Sequence, residues 1–452
     1  MRQGEGNTRG KMLRIITKIF VIYIVLTVGL MVSVETLQAR TVAFESRTIT
    51  QVKRLRGGTH RVPLNEYFGL SVSDLPKNFS FTTDFRGEAG PPTSDGEFDL
   101  YQATFHVEPV GGLLVDGGRQ WLMDGFDGSL LDGLKLGIFP ESWRVGFSLY
   151  AGVPRYVDEG TFRNVTEGLL VGTQVHLRNV ENTAAQISLR WRKIDVTLGD
   201  YTQNDNIAAA VALSHQFTKL WSTPSIYSNF EYSIPGKTVE AGTVGLDLYP
   251  HWRVAFNLEG SYYDSDRDLN QATLLGQYLT DQMVQAREGV EVKLVHGFRL
   301  FEDFSYQRYG VVSRGNENGY IASSGLGHYL KVLKLSSTGE FYYGKSFGGK
   351  VYGGLIEWTD KYFEEFDIQT SLDISRYSKI TNQTDTAISL VGGVDYQFVD
   401  CCSFGLGGEF NHNNWFSKEG RVTVRLVVGG GGSPRPEVSL RSPRLMRQFH
   451  EI

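Results

Sequence analysis

Cysteine is nearly missing from the 452 residues, since only Cys401 and Cys402 occur, so no framework of several disulfides holds this chain together. Adjacent cysteines seldom reach the geometry of a relaxed disulfide. With no second pair and no histidine nearby they also make a poor zinc site, and they read as ordinary turn thiols. Proline is sparse, with thirteen residues, and no Pro/Ser-rich linker cuts the chain into separately packed units. An excess of one charge is missing too. The net value is −5 with both signs mixed along the chain, which excludes the basic face that a nucleic-acid partner requires. Neither G-x-S-x-G, H-E-x-x-H nor a P-loop occurs. C-x-x-C-H is absent as well, so the expectation is no enzyme, no metal site and no cofactor. His106 and His176 fall on polar faces of expected strands, where a hydrogen-bonding role is the simpler reading.

Beyond the first forty residues no long apolar run exists, so helices cannot carry the chain across a membrane. Within those forty, Arg2, Arg9, Lys11, Arg14 and Lys18 form a positive stretch followed by the sixteen-residue apolar run Ile19 to Val34. A spanning helix needs about 20 such residues, whereas a signal-peptide core needs fewer, with small residues at the cut. Leu37-Gln38-Ala39 supplies that cut, so residues 1–39 are expected to be a signal peptide on an exported bacterial protein. The alternative is a retained N-terminal anchor.

What is abundant is glycine, fifty-two residues, and aromatic side chains, 12%, spread along the chain in a period-two pattern. That period puts alternate side chains on opposite faces of a sheet. Trp143, Val145, Phe147 and Leu149 alternate with Arg144, Gly146 and Ser148. Leu169, Val171, Val175 and Leu177 alternate with Gly172, Gln174, His176 and Arg178, and Ile187, Leu189 and Trp191 with Ser188, Arg190 and Arg192. Val254, Phe256 and Leu258 oppose Arg253, Asn257 and Glu259, and Phe366, Ile368, Leu372 and Ile374 oppose Asp367, Gln369, Ser371 and Asp373. The last run sets Val422, Val424, Leu426 and Val428 against Arg421, Thr423 and Arg425. The apolar faces end in aromatics such as Tyr101, Trp143, Trp191, Tyr262, Tyr343 and Tyr396, which suits the interfacial girdles of a membrane barrel. Mean hydropathy is only −0.22, as expected when every second side chain meets lipid.

Short connections read at Pro109 to Gly111, Phe139 to Ser142, Asn179 to Asn182, Tyr249 to His251, His296-Gly297 and Asp400 to Cys402. Longer polar stretches fall between them at Gly87 to Gly96, Asp124 to Leu130, Val153 to Val165, Asp264 to Val284, Ser313 to Asn318 and Lys379 to Thr384. Short inner turns alternating with long outer loops mark an outer-membrane barrel. The fold expected is all-β, a transmembrane antiparallel up-and-down barrel of about 20 strands, range 16–22. It occupies residues 77–428, between a periplasmic segment at 40–76 and a flexible periplasmic tail at 429–452 that is rich in Pro and Arg. Leu274, Leu275, Tyr278 and Leu279 stand at near-helical spacing, which predicts a short helix in the longest loop, folded toward the mouth.

Gly117-Gly118-Arg119-Gln120, followed by Leu131-Asp132-Gly133-Leu134-Lys135-Leu136, resembles the Gly-Arg-Gln then Asp-Gly strand–loop–strand pattern of outer-membrane porins, including the alginate-export type. The resemblance spans Tyr101 to Tyr150 and departs at Trp121-Leu122-Met123, where a more polar continuation is usual. It implies a porin-like barrel and names no solute.

The functional expectation is a cell outer-membrane channel passing small hydrophilic solutes or ions, with outer-membrane lipid, lipopolysaccharide and the barrel assembly machinery as its surroundings. The alternative is a sheath for a periplasmic multihaem cytochrome, like the porin component of porin–cytochrome electron conduits. Candidate lumen residues are Arg144, Arg178, Arg190 and Arg192 on three consecutive strands, and Asp367, Asp373, Asp395 and Glu409 on another three. Across a closed barrel the two groups would set up a transverse field that tunes selectivity.

Overall fold

Side chains that alternate at every second residue build a sheet, and here the sheet closes on itself. The computed structural model describes residues 41–430 apart from connections at 55–59, 62–63, 76–77, 91–92, 123–125, 127–128, 141, 159–160, 164–167, 195–196, 199–200, 203–205, 219, 221–222, 265–278, 312–314, 347–348, 361–364, 380–383, 400–401 and 414–418. At several strand ends the backbone alone is described.

The wall opens with β1 (Thr41–Arg54), β2 (Leu64–Leu75), β3 (Phe79–Gly90), β4 (Thr93–Val110), β5 (Leu113–Leu122) and β6 (Ser129–Ile138). It continues through β7 (Val145–Asp158), β8 (Gly168–Val180), β9 (Thr183–Ile194), β10 (Asn206–Gln216), β11 (Ser225–Ser233) and β12 (Thr238–His251). Next come β13 (Val254–Tyr263), β14 (Leu279–Lys293), β15 (Phe298–Val311), β16 (Gly315–Leu330) and β17 (Leu335–Ser346). The last are β18 (Gly349–Asp360), β19 (Phe366–Lys379), β20 (Thr384–Val399), β21 (Cys402–His412) and β22 (Glu419–Gly430). Each of these strands pairs antiparallel with the one before it, and β22 pairs with β1 from Phe44↔Gly430 to Lys53↔Arg421. Closure leaves this 22-stranded sheet without a free edge. At a strand spacing of roughly 4.8 Å and a tilt near 40°, such a ring is about 45 Å across between backbones.

The strand number exceeds the sequence count of twenty because the segment at 40–76, read as preceding the barrel, supplies β1 and β2. Part of their outward face interrupts the pattern. Ser46 and Thr48 on β1 donate hydrogen bonds to the two carboxylate oxygens of Glu66 on β2, so a polar cluster stands where an apolar stripe was sought. The wall also runs two residues past Val428, since Gly429 and Gly430 pair with Glu45 and Phe44. The signal-peptide segment, the tail beyond Gly430 and the expected helix in the longest loop lie outside the described residues.

Short turns at 111–112, 181–182, 252–253 and 331–334 lie at the end where the chain enters β1 and leaves β22. The turn at Gly112 requires glycine. Its φ is +82°, and a Cβ there would meet the backbone of Pro140 at 2.7 Å. The connections at 159–167 and 264–278 lie at the opposite end. Gly87 to Gly96 is not a loop, because β3 and β4 extend to Gly90 and Thr93 and pair there. Tyr101 falls at a register shift between β3 and β4, where Asp84 faces Gln102 and Phe85 faces Leu100, so it is the extra residue of a bulge. Among the described residues no helix is long and apolar enough to cross a membrane, which says nothing of strands.

Candidate functional site

Alternation divides the barrel into an outward apolar face and an inward polar one. Leu189 is 44% exposed while the next residue, Arg190, is 6% exposed. Leu169, Val171, Ile187 and Val422 are likewise exposed, and Gln174, Ser148 and Ser188 are buried on the inner side. Glu288 and Glu302 interrupt the outward face. They are diagonal neighbours on β14 and β15, in register with Phe304 and Val290, and both are exposed.

The inner wall near the long-loop end is packed on one side. Leu122, Leu131, Tyr150 and Leu170, from β5 to β8, form a buried apolar cluster. Tyr150 lies across Gly172, where any Cβ would meet the ring at 2.2 Å, so glycine makes room for it. Phe126, from the connection between β5 and β6, reaches the inner face of β9 and β10 and is buried against Ala208 and Ala210. The Arg190 guanidinium stacks on it at 3.9 Å from the ring centroid. This contact is expected to narrow the bore at that level, so Phe126→Ala should raise single-channel conductance. An unchanged conductance would mean the constriction lies elsewhere.

The eight candidate lumen residues do not form two opposed open faces. Arg144 sits in the turn before β7, exposed, because the strand begins at Val145 and not at Trp143. The Arg178 side chain lies outside the described residues. Arg190 and Arg192 are inward and buried, with Arg190 Nη2 3.5 Å from Glu231 Oε1 on β11. On the other arc, Asp395 accepts a hydrogen bond from Arg425, and Glu409 lies 3.4 Å from Arg421. Asp373 accepts a 2.6 Å hydrogen bond from the Tyr342 hydroxyl, and Asp367 faces inward between the exposed Phe366 and Ile368. Three of the eight, Arg190, Asp395 and Glu409, thus stand beside an opposite charge no more than two strands away.

Sequence reasoning missed the partners Glu231 and Asp303 and the loop residue Phe126. The register that joins β9 to β11, or β14 to β15 where Arg287 holds Asp303 at 2.7 Å, is not written in either strand alone. The Gly-Arg-Gln and Asp-Gly segment has a structural account. Arg119 donates two hydrogen bonds to Asp132, at 2.6 and 2.8 Å, and a third to the Leu100 carbonyl at 2.7 Å, tying β4, β5 and β6. No group of three or more His, Cys, Asp or Glu poised to hold a metal occurs among the described residues.

No family model and no curated protein matches the chain. Among solved structures, the P pilus usher (PapC) translocation pore is similar at 9% identity and TM-score 0.46, over 87% of this chain and 100% of that one. Pseudomonas aeruginosa OccK1 (OpdK) is similar at 7% identity and TM-score 0.46, over 86% and 98%. Pseudomonas aeruginosa OccD3 (OpdP) gives 9% and 0.45, over 88% and 92%. At such identities, with TM-scores below 0.5, these likenesses carry no argument, and the barrel stands on its own strand pairing.

Proposed function

We propose that this chain is an outer-membrane channel that lets small hydrophilic solutes or ions pass through a charged lumen. The observation that carries this reading is the closed wall of 22 strands with exposed Leu, Ile, Val and aromatic side chains outside and a polar, hydrogen-bonded face inside. An exposed apolar surface of that extent has no stable place in water and fits a lipid belt. A ring of this strand number is also too wide for the side chains of its own wall to fill, so its interior is an aqueous path or a housing. Outer-membrane lipid, lipopolysaccharide and the barrel assembly machinery are the surroundings this reading implies.

The test is conductance of the purified protein in planar bilayers, together with single-cysteine labelling in a background lacking Cys401 and Cys402. Cysteines at Gln369 and Thr423, inward and partly exposed, are expected to react with a water-soluble thiol reagent, and those at Leu169, Ile187 and Val422 to be protected in vesicles. Equal reaction of both sets would remove the membrane reading. Full labelling contrast without conductance would instead favour the sheath for a multihaem cytochrome.

A further inference from the structure

The outward face changes character where β15 to β19 meet the long-loop end. A row of tyrosines runs there, Tyr306, Tyr320, Tyr343 and Tyr352, set by register, since Tyr306 pairs with Tyr320 and Tyr343 with Tyr352. Tyr320 and Tyr343 stack with ring centroids 5.5 Å apart, and the Tyr306 hydroxyl donates to Asn318 Oδ1 at 3.0 Å. Cations stand beside this row. Arg308, Lys345 and Lys350 each lie one outward position beyond the tyrosine of their own strand, and Arg376 on β19 pairs with Tyr352. All four are exposed.

No acid answers them within the wall. Lys345 pairs directly with Lys350, and Arg376 is diagonal to Lys350 on the adjoining strand. Like charges directly opposite on one face of a sheet destabilise it. Arg119, elsewhere on the wall, is held by Asp132, whereas none of these four forms an ion pair among the described residues. Glu317 and Asp385, the acids at this end of β16 and β20, hold inward positions opposite Tyr309 and Tyr377. The Asp281 side chain on β14 lies outside the described residues. The connections at 312–314, 347–348 and 380–383 contain no acid.

Toward the middle of the wall the same outward face continues in Phe341, Ile356 and Ile374, all exposed. A ligand that matches both parts carries anionic groups at the level of the tyrosines and apolar chains below them, since tyrosine belts mark the headgroup level of a membrane. Arginine and lysine are the side chains that hold phosphate. From β15 to β19 the cations span four strand spacings, roughly 19 Å, more than one phosphate can bridge. Several phosphates on one multiply acylated anchor are the chemistry of a phosphorylated glycolipid.

We propose that the outward edge of β15 to β19 binds lipopolysaccharide, with its phosphates on Lys345, Lys350 and Arg376, Arg308 extending the row, and its acyl chains on Phe341, Ile356 and Ile374. The proposal rests on the outer-membrane reading for the leaflet that supplies the lipid, and not on conduction through the lumen. The probe is diphosphorylated lipid A, titrated against the full chain folded in detergent, with EDTA present so that no divalent cation bridges. Binding is expected to weaken by about tenfold or more when Lys345, Lys350 and Arg376 are all replaced by glutamine. Lys345→Arg with Lys350→Arg, which preserves charge, should retain it. Lipid A stripped of phosphate should bind the wild type as weakly as the intact probe binds the glutamine variant. That variant loses a like-charge repulsion, so its urea midpoint in detergent without lipid should equal or exceed the wild-type value, which also shows that it folds.

Equal affinity for the phosphorylated and stripped forms, or an affinity unchanged in the glutamine variant, would overturn the proposal. Displacement of the probe by inorganic phosphate or by phosphatidylglycerol, at the same phosphate concentration, would overturn it too and make the edge a site for any anion. The membrane reading fails on a different measurement. Loss of the labelling contrast between cysteines at Leu169 and Gln369 would remove the leaflet, and the glycolipid with it. Contrast retained without phosphate-dependent binding would remove the site alone.

Discussion

Arg190→Leu is expected to destabilise the barrel by about 3–5 kcal/mol, because it removes the guanidinium that stands 3.5 Å from the buried Glu231 carboxylate. The pair bridges β9 and β11 across the small residues Ala208 and Ala210 of β10, which are short enough to let the two long side chains meet. The side chains are 7% and 3% exposed, so water cannot take the place of the lost guanidinium. Phe126 stacks on the same guanidinium and would lose its cation as well. Glu231→Leu in the same background should recover most of the loss, since a buried ion pair replaced by apolar residues of similar size is often neutral or better. The shift of the urea midpoint in detergent, run as a double-mutant cycle, measures this. If the single variant unfolds at the wild-type midpoint, the pair contributes nothing and Arg190 is a solvated lumen arginine.

That last outcome is what the sequence alone implied. Arg190 sat on the polar side of the run Ile187 to Trp191, and nothing in those residues shows that β11, forty-one positions later, returns an acid to the same level. Face assignment was legible because it needs only parity within one strand, as Leu189 against Arg190 or Val422 against Thr423 illustrates. Pairing was not, because it depends on the register of strands two apart. The missed strands β1 and β2 have a different cause. Their outward residues Ser46, Thr48 and Glu66 satisfy one another, which breaks the apolar half of the alternation although Phe68, Leu70 and Val72 continue it on β2. Phe126 illustrates a third limit, since a loop residue carries no periodicity and its place on the inner wall follows from the path of the connection alone.

Leu189→Arg is expected to cost about 2–4 kcal/mol, the effect of a cation on the lipid face near the bilayer midplane. Leu189 stands in the middle of β9, between Thr173 of β8 and Ala209 of β10, and points outward with 44% of its surface exposed. On a barrel surrounded by water the same change would be nearly silent, because substitutions of exposed residues away from special features fall within about ±0.5 kcal/mol. The size of the effect therefore reports on the solvent outside the wall, which no contact within the protein discloses. Depth supplies the internal control. Val110 is 69% exposed at the last position of β4, beside the turn at Gly111-Gly112, and Val110→Arg should cost only about 0–1 kcal/mol if that level is the membrane interface. Urea titration of both variants folded into lipid vesicles, repeated in detergent, gives the comparison. A large penalty at Leu189, a small one at Val110 and convergence of the two in detergent is the pattern of a lipid-embedded belt. Equal and small penalties at both positions would place the apolar face against something other than lipid, and would send the search to a protein partner around the wall, beginning at the exposed carboxylates Glu288 and Glu302.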